Sequence, residues 1–200
     1  MTAPKARLFF ALWPDERTRA EFNEWLRLLG SAIEGRATRP ESLHLTIVFL
    51  GDVELDRLDA LNSIARKMEG DRFELAFDAA EYWRHNRIVH AIPVEAPEAL
   101  KNLVAVLERE LREAGFSFDQ RTYIPHMTLM RRARWRELKL KFGRVNWPVN
   151  DFALVRSHSQ ARGSQYEVLG KWQLSSTPST LAGDVSPLSL PSTGEGLGRG

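Results

Sequence analysis

One short pattern occurs twice in the chain, each time inside an apolar segment. The first copy is Leu43-His44-Leu45-Thr46-Ile47, and the second is Pro125-His126-Met127-Thr128-Leu129. Side chains at positions i and i+2 of a β-strand point to the same face. Each copy therefore predicts a strand with a histidine and a threonine on one face and aliphatic side chains on the other. A repeated strand of this kind indicates two related halves, each of which contributes one copy.

The remaining hydrophobic pattern predicts an α+β fold, with helices inserted between antiparallel strands. Amphipathic helices are predicted from Asp15 to Gly30, from Leu55 to Gly70 and from Pro97 to Gly115. The predicted strands are Arg7–Trp13, Leu43–Leu50 closed by Gly51-Asp52, Arg72–Phe77, Arg87–Val94, Ile124–Met130, Phe152–Ser157 and Tyr166–Leu174. Within the last strands, we interpret Tyr166, Val168 and Trp172 as packing residues.

The composition is that of an ordinary globular domain. Hydrophobic residues make up 43% of the 200 residues and charged residues 27%, which is typical of one domain or of two small lobes. The apolar runs are shorter than the ~20 residues that a membrane span needs, and the first is too short for a signal peptide. Cysteine is absent, which excludes disulfides and thiolate ligands. We expect a cytoplasmic protein that does not bind membranes.

The last part of the sequence differs from the rest. From residue 176 onward it is rich in Ser, Thr, Pro and Gly and has no aromatic residue. Such a segment cannot bury enough apolar surface to offset the entropy lost on ordering. We therefore predict a folded domain over residues 1–175 and a flexible tail without a catalytic role over residues 176–200.

Arginine supplies a local concentration of positive charge in a chain whose net charge is only +2. The cluster consists of Arg131, Arg132, Arg134 and Arg136. The planar guanidinium group binds phosphate through two parallel hydrogen bonds. The cluster is compatible with a phosphate-bearing substrate, but charge alone favours a solvated charged surface.

The paired histidines predict acid–base chemistry on a phosphate ester. Opening a cyclic phosphodiester needs a base that takes a proton from water and an acid that protonates the departing sugar oxygen. Histidine performs both tasks near neutral pH, and the hydroxyls of Thr46 and Thr128 can donate to the phosphate oxygens. Arg131 would face away from His126 in a regular strand, so its reach into the same groove requires a twist or the end of the strand.

Other aromatic and histidine residues are interpreted as structural. His90 alternates with apolar neighbours, which is typical of a buried structural histidine, and His85 is expected in a solvated turn. Trp83 is interpreted as a packing residue, with stacking on a nucleobase as the alternative. Of Phe9 and Phe10, one is expected to face the groove.

The motifs together resemble the two-histidine (2H) phosphoesterase superfamily, and within it the RNA 2',3'-cyclic phosphodiesterases formerly described as 2'-5' RNA ligases. The resemblance extends over about residues 5–174. It rests on RLFFAL at Arg7–Leu12, LHLTIVFLG at Leu43–Gly51, PHMTLMR at Pro125–Arg131, and the spaced residues Ser157, Gly163, Tyr166, Leu169 and Trp172.

The resemblance implies two pseudo-symmetric antiparallel-sheet lobes with helices outside and a central catalytic cleft. It implies hydrolysis of a 2',3'-cyclic phosphate at an RNA end to a 2'-phosphate, without a metal or another cofactor. The family roles fall on His44 as proton donor and His126 as proton acceptor, with Thr46, Thr128 and Arg131 binding the substrate. We expect the protein to act as a monomer.

Three other functions use the same residues. The first is 2'-5' ligation of RNA ends, such as tRNA halves, in which a cyclic phosphate is joined to a 5'-hydroxyl. The second is a nucleotide-binding module without catalysis, against which the presence of both histidines argues. The third is a metal hydrolase with His44 and His126 as ligands, which is disfavoured because neither motif holds a carboxylate at ligand spacing.

Overall fold

Strands from early and late in the chain are neighbours in one sheet, so the two halves of the sequence are interleaved in the fold. The computed structural model describes residues 4–134, 140–160 and 163–175, so the predicted tail lies outside the described residues. The helices are α1 (Glu16–Ala32), α2 (Leu58–Lys67) and α3 (Glu98–Glu113), and the strands are β1 (Lys5–Leu12), β2 (Arg36–Ala37), β3 (Leu45–Glu54), β4 (Phe73–Phe77), β5 (Ala80–Trp83), β6 (Ile88–Ala91), β7 (Met127–Arg131), β8 (Val145–Val149), β9 (Asp151–Gln160) and β10 (Gly163–Gln173).

Helix α1 begins where its capping residue predicts and ends later than predicted. The carboxylate of Asp15 accepts a hydrogen bond from the Thr18 backbone N–H at 2.7 Å, which caps the helix. The helix continues past Gly30 to Ala32, because Leu29 and Ile33 extend its apolar face into the core. The predicted end at Gly30 is therefore wrong, although the helix itself is confirmed.

The strands form one large antiparallel sheet in the order β10-β9-β1-β3-β7-β6-β5, with β2 paired to β7. Strands β4 and β8 form a separate antiparallel pair. This architecture confirms the predicted α+β fold with antiparallel sheets. The sequence pattern missed β2, β5 and β8, since β2 has two exposed residues, β5 is short, and β8 contains Pro148.

Strand β3 is longer than predicted because Gly51 forms a bulge instead of a turn. Its φ is +72°, a conformation that glycine adopts without strain. The register between β1 and β3 shifts at this point, from Leu8 opposite Gly51 to Phe9 opposite Phe49. The strand then continues to Glu54, opposite Lys5.

The large sheet has two different faces. The buried hydrophobic residues of the three helices belong to one hydrophobic core with Leu8, Phe10 and Leu45 of the sheet. The opposite face carries a small separate cluster of Phe9, Ala11, Ala153 and Val155, with Trp13, Phe49 and Tyr166 beside it. We call this second face the open face. Within the described ranges, no helix combines the length and the apolar character needed to cross a membrane.

The two halves of the large sheet meet at a single residue pair. Leu45 of β3 lies opposite Met127 of β7, and both side chains are fully buried on the core side. Each is the central residue of a His-x-Thr copy. The antiparallel pair therefore relates the two copies by a local pseudo-two-fold axis, as the internal repeat predicts.

Candidate active site

The two repeated histidines lie at the junction between the halves. His44 immediately precedes β3 and His126 immediately precedes β7, while Thr46 and Thr128 are the second residues of those strands. Leu45 and Met127 point into the core, so the neighbouring histidines and threonines point to the open face. Because the strands are antiparallel at the Leu45–Met127 pair, His44 and Thr128 lie on one side of this pair and Thr46 and His126 on the other. Both predicted motifs thus contribute to one cluster on the open face.

Each histidine is oriented by the main chain. Nδ1 of His44 lies 2.8 Å from the carbonyl oxygen of Ser42, and Nδ1 of His126 lies 2.8 Å from that of Ile124. A carbonyl oxygen only accepts hydrogen bonds, so Nδ1 is the donor in both rings. Nε2 then carries a free lone pair in the neutral ring and a proton in the charged ring. Both histidines therefore present Nε2 for proton transfer.

Aromatic rings surround His44. The indole of Trp13 stacks on it at 5.2 Å with an interplanar angle of 8°, and the rings of Phe9 and Tyr166 lie at 5.1 and 4.8 Å. Burial among these rings lowers the pKa of His44 to about 4. The carbonyl of Ser42 opposes this shift, whereas the positive charges of Arg131 and His126 add to it.

His126 has different neighbours. The ring centroids of Trp83 and His90 lie 4.6 and 5.9 Å from that of His126. Burial is also the largest cause that lowers the pKa of His126, with the Ile124 carbonyl opposing it and the charge of Arg131 contributing. Trp83, which we interpreted as a packing residue, thus lies against a site histidine.

A β-bulge in β7 brings Arg131 to the open face. Val89 lies opposite Met130, but the next residue, His90, lies opposite Thr128, so Leu129 is an extra residue in β7. Leu129 and Met130 are consecutive and both are buried in the core. The alternation resumes one residue later, which puts Arg131 on the same face as Thr128. Regular alternation does not predict this bulge. The bulge explains how Arg131 reaches the face of His126, although in a regular strand it would point away.

A matching bulge occurs in β3. Phe10 lies opposite Val48 and Ala11 opposite Thr46, so Ile47 is the extra residue. The residue that corresponds to Arg131 is then Phe49, over whose ring the guanidinium of Arg7 lies at 4.9 Å from the centroid. Both halves therefore have a bulge at the same position of the motif, but the residue that follows it on the open face is Phe49 in one half and Arg131 in the other.

Sequence reasoning missed some of the rings that line the site. Trp13 was not assigned a role, and Tyr166 was interpreted as a packing residue, yet both contact His44. Phe9 is the member of the Phe9–Phe10 pair that faces the open side. The signal was present in β1, which is apolar at both even and odd positions, as a strand covered on both faces is.

The described residues do not bring three His, Asp or Glu side chains together in a way that could hold a metal ion. That the reaction needs no metal stays a prediction from the chemistry of the paired histidines.

An antiparallel α+β fold that brings one histidine from each half to a shared open face has the architecture of a two-histidine phosphoesterase. The family model of the 2'-5' RNA ligase superfamily matches residues 14–161. The chain belongs to this superfamily.

Curated relatives and solved structures agree with this membership. The RNA 2',3'-cyclic phosphodiesterase of Escherichia coli (strain K12) is 31% identical over 177 residues, which cover 87% of this chain and 99% of that protein. The protein of the same name from Thermus thermophilus is 30% identical over 181 residues, covering 84% and 90% of the two chains. The crystal structure of E. coli LigT in apo form superposes with a TM-score of 0.77 at 27% identity, over 86% of this chain and 99% of that one.

Proposed function

We propose that this protein is an RNA 2',3'-cyclic phosphodiesterase, which hydrolyses 2',3'-cyclic phosphate ends of RNA to 2'-phosphomonoesters. Relatives that bear this name align over most of both chains. One structural observation carries the proposal: both repeated histidines donate from Nδ1 to the main chain and leave Nε2 for the reaction.

In the proposed reaction, Nε2 of neutral His126 accepts a proton from water, and the water oxygen attacks phosphorus. The bond between phosphorus and the 3' oxygen breaks. Charged His44 donates its Nε2 proton to that oxygen, which leaves a 3'-hydroxyl and a 2'-phosphate. Each histidine ends with the proton state that the other had at the start, so proton exchange with water restores the pair.

Electrostatics in the site depend on the substrate. In the free protein, burial and Arg131 disfavour a proton on either histidine. A phosphate anion between the rings favours the charged form, and therefore supplies the proton on His44 that the acid role requires. In the proposal, the hydroxyls of Thr46 and Thr128 donate to the non-bridging oxygens, and Arg131 neutralises the charge that develops there.

The other expectations complete the proposal. The partner is an RNA or oligonucleotide with a cyclic phosphate end, and the protein acts as a cytoplasmic monomer without a metal. The 2'-5' ligation of RNA ends uses the same groups. No feature of the site favours it over hydrolysis, so ligation enters as an outcome of the test.

The test uses an oligoribonucleotide that ends in a 2',3'-cyclic phosphate, in excess chelator, with His126→Ala as the inactive control. The expected product is the 2'-phosphate, identified by chromatography against 2'- and 3'-phosphate standards. A 3'-phosphate, no turnover, or turnover only after a divalent cation is restored would contradict the proposal. A second reaction with added 5'-hydroxyl oligonucleotide reveals ligation as a longer product.

A further inference from the structure

A row of polar side chains crosses the second half of the open face. Thr128 of β7 lies opposite His90 of β6, and His90 lies opposite Glu81 of β5. Directly opposed residues in antiparallel strands have neighbouring side chains on one face. A hydroxyl, an imidazole and a carboxylate thus stand side by side, from the centre of the site to the edge strand.

The first half has no such row. There Thr46 of β3 lies opposite Ala11 of β1, and Ala11 lies opposite Ala153 of β9. The pseudo-two-fold axis that relates the two threonines therefore relates Ala11 to His90 and Ala153 to Glu81. The histidine and the carboxylate are additions to the second half, the one that carries His126.

His90 is an unusual side chain for a fully buried position. Its exposed fraction is 0%, and neither ring nitrogen has a well-formed hydrogen bond with another described residue, although the main-chain carbonyl of Ile88 favours the charged ring. The nearest carboxylate oxygen, Oε2 of Glu81, lies 4.0 Å from Nε2. A buried polar group without a hydrogen bond costs free energy that an apolar ring would avoid. A phenyl ring would fill the same space without that cost, so His90→Phe separates the ring from its nitrogens.

His90, Trp83 and His126 form a closed triangle of rings. The centroids of Trp83 and His90 are 3.9 Å apart, and those of Trp83 and His126 are 4.6 Å apart. The ring of His90 stands nearly perpendicular to that of His126, at an interplanar angle of 87° and a distance of 5.9 Å. The triangle limits rotation of the His126 ring, which otherwise depends on its one hydrogen bond to the Ile124 carbonyl.

We propose that His90 is a positioning residue for His126, which acts through the ring contacts that both side chains make with Trp83 and with each other. The proposal rests on the proposed function, because it assigns His90 a part in the proton transfer by His126. His90 does not touch substrate. It fixes the plane in which Nε2 of His126 meets the attacking water.

The charges of the two rings fit this role. Burial lowers the pKa of His90 to about 4, and the nearby positive charge of His126 contributes to the shift. The exposed carboxylate of Glu81 does not reverse it, because water screens its charge. By linkage, a neutral His90 leaves His126 free to take the proton.

The test compares three variants with the wild-type protein on a 2',3'-cyclic nucleotide. His90→Phe keeps a ring and removes both nitrogens, His90→Gln keeps an amide near the position of Nε2, and Glu81→Ala removes the carboxylate from the surface. His158→Phe is the matched control, since His158 bonds Glu167 at 2.9 Å on the other face of the sheet. We measure kcat, KM and the unfolding midpoint of each.

We expect His90→Gln, which has no ring, to lose about tenfold in kcat with KM unchanged, a fraction of what an acid–base group contributes. His90→Phe should melt at or above the wild-type temperature and keep the wild-type kcat, because a phenyl ring preserves the contacts with Trp83 and His126. Glu81→Ala should also keep the wild-type kcat, because its exposed carboxylate lies 4.0 Å from Nε2 of His90. The control should match the wild type.

Two results would overturn the inference. Wild-type kcat in His90→Gln would show that the ring has no part in positioning His126, and a loss of about tenfold in His90→Phe would show that the ring contacts do not account for the effect. If His90→Gln does not fold, Trp83→Leu removes the shared contact instead, and wild-type kcat in that variant overturns the inference. A wild-type protein inactive on the cyclic nucleotide refutes the proposed function as well, whereas an active wild type with an equally active His90→Gln refutes the positioning role alone.

Discussion

His44 and His126 each donate a hydrogen bond from Nδ1 to the carbonyl oxygen two residues earlier, and the two bonds have the same length of 2.8 Å. The acceptors belong to the main chain of Ser42 and Ile124, so the side chains at those positions are free to differ. This explains how a motif without a carboxylate can still select one tautomer of each histidine. The strand geometry does what a paired acidic residue does in other acid–base sites.

The paired roles predict that neither histidine can replace the other. We expect His44→Ala and His126→Ala each to reduce kcat at least about a hundredfold, because general acid–base groups contribute 10²–10⁴-fold. Circular dichroism should show an unchanged fold. His158→Ala is the control, and equal turnover in either site variant would contradict the assigned roles.

The depressed pKa values predict where the protein works best. Burial lowers the pKa of both His44 and His126 in the free protein, so the profile of kcat/KM should be bell-shaped with its maximum below pH 6.5. The bound phosphate favours the charged rings, which should move the kcat profile to higher pH. Rates measured between pH 4 and 9 test this, and a monotonic rise or two coincident profiles would count against it.

Much of the fold and the centre of the site could be predicted from local pattern. The His-x-Thr repeat placed both histidines and both threonines, because the alternation of a strand depends only on its own residues. The helix at Asp15 followed in the same way from its capping residue. These predictions share one property: each rests on residues that are neighbours in sequence.

The rest of the site depends on pairing between distant strands. The bulge at Leu129 directs Arg131 to the open face. It can be recognised only from the register between β6 and β7. The ring of Tyr166 reaches His44 only because β10, β9, β1 and β3 are consecutive in the sheet. His90 looked like a structural histidine because one strand cannot reveal that Thr128 and Glu81 lie on either side of it.

Arg131 should affect binding and pH dependence together. Its charge lowers the pKa of both site histidines, so Arg131→Ala should move the kcat/KM profile to higher pH. It should also raise KM by about ten- to a hundredfold, since the proposed charge-assisted hydrogen bond from Arg131 to phosphate is lost. Arg131→Lys keeps the charge and should keep the pH profile while KM rises in part. Arg109→Ala on α3 is the control, and an Arg131→Ala profile at the wild-type pH would be inconsistent with this account.

The buried ring of His90 predicts a loss of stability in acid. Its pKa is about 4 in the folded protein, against about 6.5 for a histidine in an unfolded chain, so between these two pH values the unfolded chain binds more protons. Stability must therefore fall as pH decreases from 6.5 to about 4, by up to about 1.4 kcal/mol per pH unit for one such group. Below pH 4 both states are protonated at this position and the contribution no longer changes.

His90→Phe removes that group and keeps a buried ring. We expect its free energy of unfolding, measured by urea at several pH values from 4 to 7, to fall less steeply with decreasing pH than that of the wild type. The remaining slope includes His44, whose pKa is lowered in the same direction. Val89→Ala, a buried neighbour in β6, is the control, because it should lower stability by the same amount at every pH. A wild-type slope in His90→Phe would mean that His90 is not kept neutral by burial, since only a depressed pKa couples this residue to acid unfolding.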